Sequence, residues 1–149
     1  MDNWYFPLTC VKQEDVNGCG IAATATVAGV TYARAKAVFF PKKHFDMRDD
    51  EELHVGPIEV VAALKKLGFS AKIGKWTSSY KKKKLPAICM LAWQPSRRDS
   101  LKHAIVWDPF SKKFIDPGTP VIVPDVISYY QNKIMRSNFA PVIVTGKIR

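Results

Sequence analysis

The chain has 149 residues, 47% hydrophobic and 24% charged, with 23 Lys and Arg against 13 Asp and Glu, a formal net charge of +10. That length and composition suit a single domain over residues 1–149 with enough apolar side chain to fill a core, which excludes intrinsic disorder as its main state. The longest apolar stretches, Ile21–Val30 and Ala87–Trp93, fall short of the roughly 20 residues of a spanning helix, and Met1-Asp2-Asn3-Trp4 starts no secretory signal, so a cytoplasmic protein with no membrane span is expected.

The first half of the chain reads as helical. Gly20–Val30 is small and apolar nearly all round, which predicts a helix buried on every side, and Gly29 suits its C-terminal end. Thr31 can cap a second helix over Tyr32–Phe39, which Pro41 ends. Lys42–Glu52 is charged and reads as a loop. Pro57 stands at the first position of a third helix after Gly56, with Ile58, Val61, Ala62, Ala63, Leu64 and Leu67 as apolar positions and Gly68 as the stop.

The second half reads as strands. Ser70–Ile73 is short, and Ala87–Trp93 is an apolar run suited to a buried central strand. His103–Trp107 and Lys113–Asp116 flank Asp108-Pro109-Phe110-Ser111, a turn sequence, and predict a hairpin. Val121–Val123 is a further candidate strand, Asp125 can cap a helix through Lys133, and Ala140–Thr145 is a final strand. Leu8-Thr9-Cys10 is a candidate short strand ahead of them all. Helices first and antiparallel strands later make an α+β chain.

Three cysteines at wide spacing, Cys10, Cys19 and Cys89, are no disulfide framework, and without a CxxC pair a structural zinc site has little support. A reducing compartment fits them, and no cofactor or metal is implied. Cys89 falls in the middle of the apolar strand and is read as core, whereas Cys10 is ambiguous. The positive charge gathers in Lys42-Lys43, Lys81–Lys84, Arg97-Arg98 and Lys112-Lys113. These clusters sit between apolar segments and lack interleaved aromatics, so they read as solvated loops. Lys81–Lys84 is the best candidate contact for an anion. No helix–turn–helix, zinc-finger or RNA-recognition signature is present, and nucleic acid is a weakly supported partner.

The chemistry concentrates in Gln13-Glu14-Asp15-Val16-Asn17-Gly18-Cys19-Gly20, directly ahead of the buried helix. A cysteine at a helix N-terminus meets backbone N–H groups and the positive end of the macrodipole, which favour a thiolate. Gly18 and Gly20 are expected to leave room for a substrate backbone beside the sulfur. The Cys19 N–H and the Gln13 side-chain amide are candidate oxyanion donors. Of the three histidines, His44 and His54 lie in charged loop segments, whereas His103 heads an apolar strand that can hold its ring. Asp116 follows on the partner strand of the predicted hairpin, where a carboxylate can orient that ring. Singly, each residue has a plain structural role: a small buried hydrophobe, a strand histidine, a turn former before Pro117. Together, the chain order Gln, Cys-Gly, His, Asp-Pro fills every role of cysteine nucleophilic catalysis.

With Gln13, Cys19-Gly20 and Ala22-Ala23, the Gly56-initiated helix ending Leu67-Gly68-Phe69, Leu85-Pro86-Ala87-Ile88, His103 and Phe114-Ile115-Asp116-Pro117, the chain resembles the bacteriocin-processing cysteine peptidases from about Gln13 to Val144. These are papain-like enzymes, best known as N-terminal domains of export transporters that cut leader peptides after a double glycine. The resemblance implies a papain-like fold with a helical N-terminal half and a C-terminal antiparallel sheet. It makes Cys19 the nucleophile, His103 the general base, Asp116 the orienting residue and Gln13 the oxyanion donor. Two features depart from the family: Gly18 stands where an acidic residue usually precedes the cysteine, and 149 residues leave no room for transporter parts. The expected activity is therefore that of a stand-alone peptidase acting on a peptide or isopeptide bond of a peptide or protein substrate. Amidase, deamidase or acyltransferase chemistry on the same triad, an inactive peptide-binding relative, and a basic accessory protein that binds an acidic partner or nucleic acid are the alternatives.

Overall fold

The computed structural model describes residues 8–15, 18–41, 55–74, 84–93, 101–117, 121–123 and 140–147. Its first helix, α1, spans Cys19–Ala28, with residues Cys19 to Val27 buried. Small side chains let the helix approach its neighbours closely on two sides. Cys19, Ala23 and Val27 pack in one cluster with Ala104, Val106 and Ile115, while Ile21, Ala22 and Ala25 pack with Tyr32 and Ala35. The two buried hydroxyls on α1 are satisfied within the helix: Thr24 Oγ1 donates to the Gly20 carbonyl and Thr26 Oγ1 to the Ala22 carbonyl, each at 2.8 Å. Gly29 ends α1 at φ 68°, a left-handed conformation that disfavours any residue with a Cβ.

Helix α2 is Tyr32–Phe39, and its N-cap Thr31 accepts the Arg34 N–H at 3.1 Å. Helix α3 is Pro57–Lys66, where Pro57 opens the first turn and Glu59 reaches back to accept the Gly56 N–H at 3.1 Å. Its buried residues are Val60, Ala63 and Leu64, and Val60 and Leu64 join the cluster that holds Cys19.

The strands are β1 (Phe69–Ile73), β2 (Ala87–Trp93), β3 (Leu101–Asp108), β4 (Lys113–Asp116), β5 (Val121–Val123) and β6 (Ala140–Lys147). They form one six-stranded sheet in the order β1-β6-β2-β3-β4-β5, with every pairing antiparallel. The last strand therefore inserts between the first two. Ile88 and Cys89 of β2 are fully buried, as a central strand requires. The β3–β4 connection is the predicted hairpin. Asp108 closes its turn by accepting the Phe110 N–H and the Ser111 hydroxyl, both at 2.9 Å. Trp107 and Phe114 face each other across the pair with ring centroids 5.0 Å apart, and both are fully buried.

The structure departs from the expected elements in several places. Strand β3 begins two residues earlier than the apolar run, and β6 continues past Thr145 to Lys147. Leu8–Cys10 is not a strand. The segment that follows gives its N–H groups to scattered acceptors instead of a ladder: Val11 donates to Thr26 Oγ1 at 2.9 Å and Gln13 to the Pro117 carbonyl at 3.1 Å. The predicted loop 42–52 and the helix expected over 125–133 lie outside the described residues. So do His44, His54 and most of the lysine run, of which Lys84 is described and exposed.

Candidate active site

Cys19 is the first residue of α1 and is 8% exposed. The opening N–H groups of a helix have no intrahelical acceptor, so its thiol sits at a concentration of partial positive charge. Residues 8–15 bond α1 through the Val11 N–H and Thr26 Oγ1 and reach the end of β4. The Gln13 N–H bonds the Pro117 carbonyl, and Cys10 Sγ lies 4.0 Å from the Asp116 carbonyl oxygen. The loop is thereby held against the strand end that carries Asp116, itself 4% exposed.

Asp15 organises the turn between Gln13 and Cys19. Its carbonyl accepts two hydrogen bonds, from Gln13 Nε2 at 3.0 Å and from the Gly18 N–H at 3.1 Å. Its carboxylate accepts two more from α2, the Tyr32 hydroxyl at 2.6 Å and Lys36 Nζ at 2.9 Å. Burial alone would raise the Asp15 pKa, but the hydrogen bonds of Tyr32 and Lys36, with the Lys36 charge, outweigh it and hold the carboxyl below its ordinary value. Burial, followed by the hydrogen bond to Asp15, pushes the Tyr32 hydroxyl well above its own ordinary range.

Burial pushes the Cys89 pKa well up, and burial together with the Asp116 charge raises that of Cys10. The space beside Gly18 and Gly20, expected to admit substrate, is taken by the protein's own side chains. A Cβ on residue 18 would overlap the Tyr32 hydroxyl, and one on residue 20 would overlap the Val55 side chain. These glycines serve internal packing, and the space beside them is not open.

Comparison with known proteins bears on the fold. No protein-family model matches the chain, and no curated protein does. Among solved structures, a double-glycine motif protease from an AMS/PCAT transporter, in complex with the leader peptide, is 18% identical over 92% of this chain and 91% of its own, at a TM-score of 0.60. The peptidase domain of Streptococcus ComA, a bifunctional ABC transporter of a quorum-sensing pathway, is also 18% identical, over 94% of this chain and 98% of its own, at a TM-score of 0.57. The fold is that of these papain-like, double-glycine peptidase domains.

Within that fold the four candidate residues are distributed as follows. Gln13 lies on the loop bonded to Pro117, Cys19 at the tip of α1, and Asp116 at the end of β4. The backbone of His103 is the third residue of β3 and pairs with Leu91, while its side chain lies outside the described residues. By the two-residue period of a strand, register positions 103 and 116 share the parity of the Trp107–Phe114 pair. Ala104 and Ile115, which cluster with Cys19, have the opposite parity. Three residues absent from the sequence-based site, Asp15, Tyr32 and Lys36, define the turn before the cysteine. The spacing of Tyr32 and Lys36, one helical turn apart, put both on one face of α2, but nothing local pointed that face at Asp15. Among the described residues no three His, Cys, Asp or Glu side chains gather as a metal site, and no helix is long and apolar enough to cross a membrane.

Proposed function

We propose that this chain is a papain-like cysteine peptidase that cleaves a peptide or isopeptide bond in the cytoplasm. The observation that carries this reading is the meeting of three chain segments: the Gln13 loop, the tip of α1 with Cys19, and the Asp116–Pro117 end of β4. The leader peptide bound by the AMS/PCAT protease supports a peptide as substrate.

In this mechanism His103 takes the Cys19 proton, with Asp116 orienting the imidazole, and the thiolate attacks the carbonyl carbon. The Cys19 N–H and Gln13 Nε2 hold the oxyanion, a donor worth about 3 kcal/mol of barrier when one is lost. His103 then protonates the leaving amine, and water releases the acyl-enzyme. The register parity makes a specific demand: the imidazole must meet the thiol at the tip of α1, not along the flank of the helix that packs on Ala104 and Val106.

The test is labelling of wild-type protein and its Cys19→Ala, His103→Ala and Asp116→Asn variants with a peptidyl electrophile, followed by mass mapping of the modified residue. The expected result is modification of Cys19 alone, lost in Cys19→Ala and strongly slowed in His103→Ala. Modification of Cys10 instead, or a Cys19 rate indifferent to His103, would overturn the assignment.

A further inference from the structure

The hydrogen bonds around Asp15 lead past the four candidate residues. Its carbonyl is shared by the side chain that would donate to the oxyanion, Gln13, and by the N–H of the residue that precedes the nucleophile, Gly18. Its carboxylate is tied at 2.6 and 2.9 Å to two side chains of α2, a helix that packs against α1 through Tyr32 and Ala35. The Tyr32 hydroxyl also fills the volume that a side chain at residue 18 would need. One acidic residue thus connects the donor loop, the turn into α1 and the second helix.

We propose that Asp15 is a positioning residue for the oxyanion site: clamped by Tyr32 and Lys36, it fixes the loop so that the Gln13 amide is presented beside Cys19. A carboxamide nitrogen can give two hydrogen bonds. The bond from Gln13 Nε2 to the Asp15 carbonyl therefore sets the direction in which the same nitrogen donates to a developing oxyanion. Charge-assisted hydrogen bonds are short and directional, as the Tyr32 and Lys36 contacts are, and suit a joint that must not swing. The charged group bonded to this carboxylate is Lys36, and the charge of Glu14 acts on Tyr32. This role rests on the peptidase reading above, and its test separates the two.

Two small probes react with a thiolate in different ways. With p-nitrophenyl acetate the sulfur attacks the acetyl carbon, an oxyanion develops, the carbon–oxygen bond breaks, and nitrophenolate leaves as an S-acetyl bond forms. With iodoacetamide the sulfur displaces iodide from carbon, and no oxyanion develops. The ratio of the two rates at Cys19, mapped by mass, therefore reads the donor geometry separately from thiol reactivity. Gln13→Ala is expected to lower acetylation about 100-fold, and Asp15→Ala about tenfold or more, with alkylation in each within about threefold of wild type. Tyr32→Phe is expected to move the ratio in the same direction by a smaller factor. The double variant Gln13→Ala/Asp15→Ala is expected to match Gln13→Ala, because Asp15 acts through Gln13. Parallel loss of both rates, an unchanged ratio, or a double variant that multiplies the two single losses would each overturn the proposal. If Asp15→Ala fails to fold by circular dichroism, the Tyr32→Phe ratio decides alone. Wild-type acetylation of Cys19 no faster than that of free cysteine would sink the peptidase reading itself. Fast acetylation that depends on Gln13 but not on Asp15 would sink only this inference.

Discussion

Replacing Gly18 by alanine sets two effects of opposite sign against each other. Gly18 has φ −91° and ψ 14°, a conformation open to any L-residue. On backbone grounds alone, alanine should stabilise the protein by about 0.4–1 kcal/mol, because it narrows the unfolded ensemble. The side-chain packing says otherwise. An added Cβ overlaps the Tyr32 hydroxyl and crowds its ring, and overfilling of this kind typically costs about 1–3 kcal/mol. If the ring moves away, its hydrogen bond to Asp15 is lost. A bond to a charged group is worth about 1.5–3 kcal/mol at most. Asp15 is 26% exposed, so the lower end applies. The balance is a destabilisation of about 2 kcal/mol. Urea unfolding of Gly18→Ala, Tyr32→Phe and the double variant measures it. The double variant should lie well below the sum of the singles, since removing the hydroxyl relieves the overlap. A Gly18→Ala protein as stable as wild type, or strict additivity, would refute the steric account.

Other outcomes follow from the same contacts. Asp15 has a pKa depressed below 3.8 in the folded protein, so its contribution is fully present above about pH 5 and is lost as pH falls through 4 toward the folded value; Asp15→Asn should flatten the acid limb of Tm against pH, and an unchanged limb would contradict the clamp. Thr26→Val deletes the acceptor of the Val11 N–H and should destabilise by about 1–3 kcal/mol in urea, with Thr26→Ser recovering most of the loss; a valine variant as stable as wild type would show that the bond anchors nothing. Cys89, fully buried with a raised pKa, should resist iodoacetamide at about pH 8 in the native protein and react only in denaturant; native labelling would place it outside the core.

Much of this molecule was readable before folding because the signals are local. The all-round small apolar pattern after Cys19 could only be a buried helix, and Gly29 marked its end through a conformation that favours glycine. Thr31, Pro57 and the Asp108 turn announced their elements through hydrogen bonds or fixed dihedrals spanning a few residues. The placement of Cys19 at the start of α1 followed from the same short-range pattern. The roles of Gly18 and Gly20 did not, because nothing in their neighbours states that Tyr32 and Val55 fill the space beside them.

What the sequence determined by itself was the inventory of elements and the position of a thiol at a helix start, since those depend on contacts within about one turn of chain. Tertiary structure decided the insertion of β6 between β1 and β2, the diversion of residues 8–10 from a strand into a loop, and the convergence of Asp15, Tyr32 and Lys36. Each of these joins groups well apart in the chain. Their pairing depends on which buried donor finds an acceptor once the core has closed, and periodicity along the chain carries no record of that choice.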